Sequence, residues 1–230
     1  CASELRALAR DPRVLLLDEP FAAVDQVTRR KLHLETIRLR QDLKIPIVLV
    51  THDLNEARIL ADRVCVLHHG ATLQTDAPER LMSRPNSAAV ARLVELHNLF
   101  EGRIDAVDAN QLLWRGHRLR LTANPGFARG ERVCWVIASE YVILHRRDRP
   151  SSGDRENPLS GVISEMIVLA DTARLTVDVG HDPNARLTFS VPLHVARRNQ
   201  LRRGIECSVS LLAEGIHPVP WEPAIESSEG

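Results

Sequence analysis

The sequence predicts an α/β unit followed by a small all-β barrel. Two observations carry this. Residues 14–17 (VLLL) and 47–50 (IVLV) are short apolar runs with a helical stretch between them, the pattern of strands buried on both faces of a parallel sheet. From Leu99 onward the chain turns into short alternating segments separated by turn residues, the pattern of a small barrel.

The elements follow in order. The first apolar run ends in Asp18 and Glu19, and Pro20 stops it. Residues 27–43 carry Val27, Leu34 and Ile37 at helical spacing among Arg and Lys, which predicts a solvated amphipathic helix covering the sheet. Asp25 suits the cap of that helix. The second run ends in Thr51, His52 and Asp53, and residues 54–61 read as a short helix. A break at 83–87 precedes a helix over 88–96, and the composition shifts near Asn98. Strands are expected at 102–107, 111–114, 118–122, 132–138 and 141–145, then at 159–169, 173–179, 186–191 and 206–212. Between these sets, 146–157 reads as a loop. Residues 201–204 read as the turn before a closing strand, and the proline- and glutamate-rich tail from 218 is expected to fray. The predicted domains are 1–97, 98–222 and a tail, 223–230.

Composition narrows the function. Lys plus Arg and Asp plus Glu each number 30. That balance gives no electrostatic argument for nucleic acid as a partner. The four cysteines are scattered, without a CxxC pair, and read as reduced thiols. No apolar stretch approaches the roughly 18 residues of a membrane span, so work at a membrane would go through a partner.

The chemistry gathers at two strand ends. Ligands of open parallel sheets sit beyond the carboxyl ends of the strands. An acid pair and a histidine brought together there can hold a metal–phosphate group and activate water.

RVLLLDEPFAAVD (13–25) with IVLVTHD (47–53) resembles the ATP-binding subunits of ABC transporters, and residues 62–81 resemble the hairpin and helix that follow. The resemblance implies the C-terminal half of a P-loop NTPase domain, with ATP and Mg²⁺ as cofactors. It assigns Asp18 to Mg²⁺ through its water shell, Glu19 to the general base, His52 to the γ-phosphate, and Asp25 to the loop facing nucleotide and partner subunit. No GxxxxGK[ST] and no LSGGQ occur in the sequence, so the chain is expected to be part of a longer one.

The second half is similar to the TOBE/MOP-like regulatory domains of importers, on NLFEGRI (98–104), WVIASEYVILHRR (135–147), ENPLSGVISEM (156–166) and GIHPV (215–219). This implies an OB-like barrel, and within the group the likeness is greatest to molybdate-importer ATPases. The implied partners are membrane permease subunits, a second ATPase subunit in a homodimer and, indirectly, a periplasmic solute-binding protein, with no nucleic acid. The implied place is the cytoplasmic face of the inner membrane. Sulfate, ferric iron or polyamine import is an alternative to molybdate. A non-catalytic solute-sensing barrel and a soluble ABC-type protein of translation or DNA repair are the other classes. In oxyanion-binding members a serine stands where this chain has Asp154, and a second near Val195. A structural or regulatory barrel is therefore the expected reading. The basic cluster Arg197, Arg198, Arg202 and Arg203 reads as a solvated face or an anion patch.

Overall fold

The structure is a computed structural model that describes residues 13–42, 45–145, 151, 153 and 155–222. By contact the chain separates into two units, Cys1–Leu81 and Met82–Gly230.

In the first unit, strands β1 (Leu15–Asp18) and β2 (Ile47–Val50) pair in parallel, with Leu15 opposite Ile47 and Asp18 opposite Val50. Helix α1 (Gln26–Asp42) connects them, as a parallel pair requires. Helix α2 (Leu54–Leu60) follows β2. Strands β3 (Val64–His68) and β4 (Ala71–Asp76) form a hairpin whose turn puts His69 and Gly70 at φ 48° and 76°, the left-handed pair that matches strand twist. The expected burial on both sheet faces is not observed. Leu15 is 4% exposed but Leu16 is 71% exposed, and Val48 and Val50 are about half exposed. Among the described residues this sheet has two strands, so the pleat leaves alternate side chains on an open face. No residue of α1 is fully buried, because its few apolar positions are spread among Arg and Lys.

In the second unit, helix α3 (Pro78–Ser83) runs across the boundary and α4 (Ala88–Leu93) is capped by the Ser87 hydroxyl, which accepts from the Val90 N–H at 3.2 Å. Then come β5 (Leu99–Ile104), β6 (Gln111–Trp114), β7 (His117–Arg120), β8 (Arg132–Val136) and β9 (Val142–Leu144). They are followed by β10 (Glu156–Leu169), β11 (Thr172–Val179), β12 (Arg186–Pro192), α5 (Leu193–Arg198), β13 (Glu206–Leu212) and β14 (His217–Pro220).

These strands make two antiparallel five-stranded sheets, ordered β14-β8-β5-β6-β7 and β12-β11-β10-β13-β9. The orders are equivalent strand for strand, except that β9 and β14 have changed places. The strand following each half closes the sheet of the other. One shared core, including Trp114, Trp135, Ile163, Leu175, Phe189 and Leu211, lies between the sheets.

Two buried asparagines repeat this symmetry. Asn98, before β5, donates to Ile137 O and Thr188 O and accepts from the Thr188 N–H. Asn157, opening β10, accepts from the Arg120 N–H and donates to Arg120 O and Leu211 O. Each therefore bonds both backbone groups of one residue in the opposite sheet. Gly102 and Gly161 lie at matching places, and a Cβ on Gly161 would come within 2.6 Å of Asp178 O.

Two loop readings need correction. The segment read as loop to 157 is already strand at Glu156, and Pro158 lies inside β10 opposite Ser210. There β10 has β13 on one side only, so the missing N–H costs no ladder bond. Residues 146–150, 152 and 154 lie outside the described residues. The tail expected to fray contains β14, which pairs with β8 and buries Pro218 and Val219. As an edge strand it tolerates its prolines. Residues 223–230 lie outside the described residues. His217 fastens this strand. Its Nε2 donates to Pro85 O at 2.9 Å, and Arg84 donates to its Nδ1 at 3.2 Å and to Glu214 O at 2.5 Å.

Candidate functional site

The first unit gathers Asp18, Glu19 and His52 at the carboxyl ends of β1 and β2. The Glu19 N–H donates to Val50 O at 2.9 Å, which carries the β1–β2 pairing one residue past Asp18. Glu19 itself turns into the left-handed region at φ 43°, a conformation that costs a non-glycine residue on the order of 1 kcal/mol or more. This turn lets one carboxylate oxygen, Oε1, accept both the His52 N–H at 3.0 Å and the His52 Nδ1–H at 2.8 Å. Oε2 has no partner among the described residues. The hydrogen bond and charge of Glu19 raise the His52 pKa above the ordinary histidine value. Nδ1 is committed to Glu19, so Nε2 is the nitrogen presented outward, on a side chain 82% exposed. In the protonated form both nitrogens donate.

Asp18 is exposed and its carboxylate has no partner among the described residues, which suits a group that receives metal-bound water. Asp25 caps α1, its Oδ1 accepting from the Val27 and Thr28 N–H groups at 3.0 and 3.1 Å. The hydrogen bonds from Thr28 lead in pulling its pKa down. The structure thus brings Asp18, Glu19 and His52 together and sets Asp25 at the head of the following helix.

Residues that sequence reasoning missed hold these loops. Arg29 donates to Val24 O at 3.2 Å and reaches Asp53 Oδ2 at 3.7 Å, joining the loop before α1 to the loop after β2. Asp53 caps α2 by accepting from the Asn55 and Glu56 N–H groups. Thr51 Oγ accepts from the Asp53 N–H and donates to Glu56 Oε2 at 2.6 Å. Glu56 is 3% exposed, and His33 Nε2 lies 3.6 Å from its Oε1. The Asp53-x-x-Glu56 spacing was the available signal, since it is that of a capping box.

In the barrel, the neighbourhood of Asn157 is already saturated. Both its amide donors and its carbonyl oxygen are bonded to backbone. Beside it, Glu156 Oε2 accepts from Ser151 Oγ at 2.5 Å and lies 3.5 Å from His145 Nε2, which is 2.7 Å from the buried Ser210 hydroxyl. The Ser151 hydrogen bond leads in holding the Glu156 carboxyl below the usual range. Val195 lies in α5, and Asp154 is outside the described residues. Arg197, Arg198, Arg202 and Arg203 are exposed.

The chain is similar in sequence to ATP-binding proteins of import and transport systems. The chain is 34% identical over 177 residues to the spermidine/putrescine import ATP-binding protein PotA of Chromobacterium violaceum, covering 76% of this chain and 48% of that protein. It is 31% identical over 199 residues to the sulfate/thiosulfate import ATP-binding protein CysA of Ralstonia nicotianae, covering 86% and 52%. It is 29% identical over 219 residues to the glycine betaine/carnitine/choline transport ATP-binding protein OpuCA of Bacillus subtilis, covering 94% and 52%. The chain thus spans about half the length of these curated relatives. No protein-family model matches it. Among solved structures, the cytoplasmic molybdate-binding protein ModG with molybdate bound aligns at TM-score 0.48 and 18% identity, covering 55% of this chain and 98% of that one. Likeness at that level says nothing of a ligand.

Proposed function

We propose that this chain belongs to the ATP-hydrolysing subunit of an ABC importer. The single observation that carries the proposal is the pairing of Glu19 Oε1 with His52, in a chain similar over most of its length to import ATP-binding proteins. Phosphoryl transfer needs in-line positioning and charge stabilisation more than covalent chemistry. His52 anchors Glu19 through one oxygen and leaves the other to orient water and take its proton. Nε2 of the protonated His52 faces outward, where it donates to a γ-phosphate oxygen. The Arg29–Asp53 contact holds the two loops in fixed relation. Asp18 would hold Mg²⁺ through coordinated water, and the metal would neutralise developing phosphate charge. Asp25 would shape the loop that meets a second subunit across bound nucleotide.

Membrane permease subunits and a second ATPase subunit are the partners of such a protein, with a solute-binding protein outside the membrane acting indirectly. The place of work is the cytoplasmic face of that membrane. Among the described residues no helix is long and apolar enough to cross a membrane. The relatives are named for spermidine/putrescine, sulfate/thiosulfate and glycine betaine/carnitine/choline, solutes of different charge, so similarity to them does not choose the solute. Molybdate is the first solute to test because of the barrel's sequence resemblance. The barrel itself we read as regulatory, since Asn157 has no free donor and Glu156 opposes an anion.

The test is the Glu19→Gln variant, made in the protein together with its upstream coding region. Hydrolysis is expected to be lost while ATP still binds. Turnover within a few-fold of the parent would remove Glu19 from the role of base.

A further inference from the structure

A second acid–imidazole pair, buried rather than exposed, is bonded to the flanks of His52. Glu56 is the third residue of α2, where a capping box would send its carboxylate back to the Asp53 N–H. The carboxylate goes elsewhere. Its Oε2 accepts the Thr51 hydroxyl at 2.6 Å, and it is the Thr51 oxygen that takes the Asp53 N–H, at 3.1 Å. His52 therefore stands in the chain between two residues tied into one ring of bonds, and Glu56 anchors that ring. Glu56 Oε1 faces His33 Nε2 of α1 at 3.6 Å. That nitrogen is buried and has no hydrogen bond among the described residues, an exception that calls for a reason. The same imidazole meets the Phe21 ring edge-on, the centroids 4.8 Å apart. Phe21 is buried and stands two residues past Glu19, in the turn that the left-handed Glu19 begins. Arg29, four residues before His33 and so on the same face of α1, makes the contact with Asp53.

We propose that His33 and Glu56 are a positioning couple for the Glu19–His52 pair, acting through Phe21 on the turn that carries Glu19 and through Thr51 on the loop that carries His52. The proposal rests on the reading of Glu19 and His52 as the hydrolytic pair. That pair tolerates little play, because a single oxygen, Glu19 Oε1, accepts both the His52 N–H and Nδ1–H. Neither side chain is held by packing of its own, since Glu19 is 35% and His52 82% exposed. Past the bond from the Glu19 N–H to Val50 O, the strand ladder no longer fixes one loop against the other. Their placement then depends on what the two backbones are fastened to, and both are fastened to the His33–Glu56 contact. The raised His52 pKa, owed first to the Glu19 hydrogen bond, also carries a contribution from the Glu56 charge. Threonine suits the link at residue 51, because one hydroxyl can donate to Glu56 and accept from Asp53 at once. A plain clamp between α1 and α2 would need His33 and Glu56 but not the Thr51 hydroxyl.

Two measurements test it: steady-state ATP hydrolysis by the protein made with its upstream coding region, and hydrogen exchange of the His52 backbone amide in the same protein without nucleotide. The amide reports the bond to Glu19 Oε1 directly. His33→Ala and Thr51→Val are each expected to lower kcat about 10- to 100-fold. Each should leave KM for ATP within about twofold and remove the protection of the His52 amide. Thr51→Ser keeps the hydroxyl and should behave as the parent in both measurements. Arg38→Ala, which removes an exposed ion pair of α1, should change neither. A lowered melting temperature with the His52 amide still protected in the folded variants would assign the residues to a plain clamp and overturn the proposal. Unchanged kcat and protection in both variants, in a protein whose Glu19→Gln form has lost hydrolysis, would also overturn it and leave the hydrolytic reading standing. If Glu19→Gln keeps its turnover while His33→Ala and Thr51→Val still lose the protection, the couple stands and the role of Glu19 as base falls.

Discussion

Glu19 uses its two oxygens differently: Oε1 is bound to His52, and Oε2 has no partner among the described residues. Removing its charge should therefore be visible at His52 before any turnover is measured. In Glu19→Gln, the His52 pKa measured by NMR is expected to fall back toward the ordinary value of about 6.5. The sign follows from linkage. The folded pKa of His52 is raised, so the pair's stabilisation is full below the ordinary value and fades as pH rises through the folded one. An unmoved His52 titration would detach the two residues. In the proposed role, His52→Ala is expected to cut turnover strongly, because a contact to the γ-phosphate would matter most as charge shifts in the transition state. Asp18, Glu19 and His52 were legible because residues ending two adjacent parallel strands must meet. Glu56 had a local signal, the Asp53-x-x-Glu56 spacing, that went unread, whereas His33 had none, since its approach to Glu56 depends on how α1 and α2 meet.

At the scale of elements, the asparagine clips decide the barrel. Each of Asn98 and Asn157 satisfies buried backbone groups, and each stranded group costs about 1–3 kcal/mol. Asn98→Ala is expected to destabilise the chain by roughly 2–4 kcal/mol in urea unfolding. A loss below half a kcal/mol would mean that water replaces the clip. Gly161→Ala should cost at least as much, because its Cβ would meet the backbone of Asp178 rather than a flexible side chain. These clips were present in the sequence as Asn98-x-x-x-Gly102-x-Ile104 and Asn157-x-x-x-Gly161-x-Ile163, an internal repeat that went unread. Alternation located most of the barrel's strands, because many bury one face, but it placed the first at 102–107 where the strand is Leu99–Ile104. It failed at β14, where prolines signal a break unless the strand is known to lie at an edge.

For the whole molecule, one histidine in each unit responds to acid, and the two do so with opposite signs. Burial pushes the His217 pKa down, against the bond to Pro85 O and with the help of Arg84. A depressed histidine contributes stability that is present above its unfolded value and lost as pH falls through the folded one. The barrel's melting temperature is expected to drop between about pH 7 and pH 5, and His217→Gln should flatten that drop. The full chain is also expected to show no calorimetric signal with molybdate at sub-millimolar concentration, since a dianion beside Glu156 would lose water without gaining donors. Binding in the micromolar range would shift attention to the arginines after α5.

The exchange of β9 and β14 has a consequence for biosynthesis. Neither sheet can close with its own half of the chain, because β8 gains its outer neighbour only from His217–Pro220. On the ribosome, the earlier sheet must wait with that flank bare until almost all the remaining barrel has left the exit tunnel. Domains otherwise tend to fold as they emerge. A message cut short between β13 and β14 would release a nascent product with β8 uncovered, an invitation to aggregation or to proteases. Emergence of β14 is thus the step that lets the earlier sheet close.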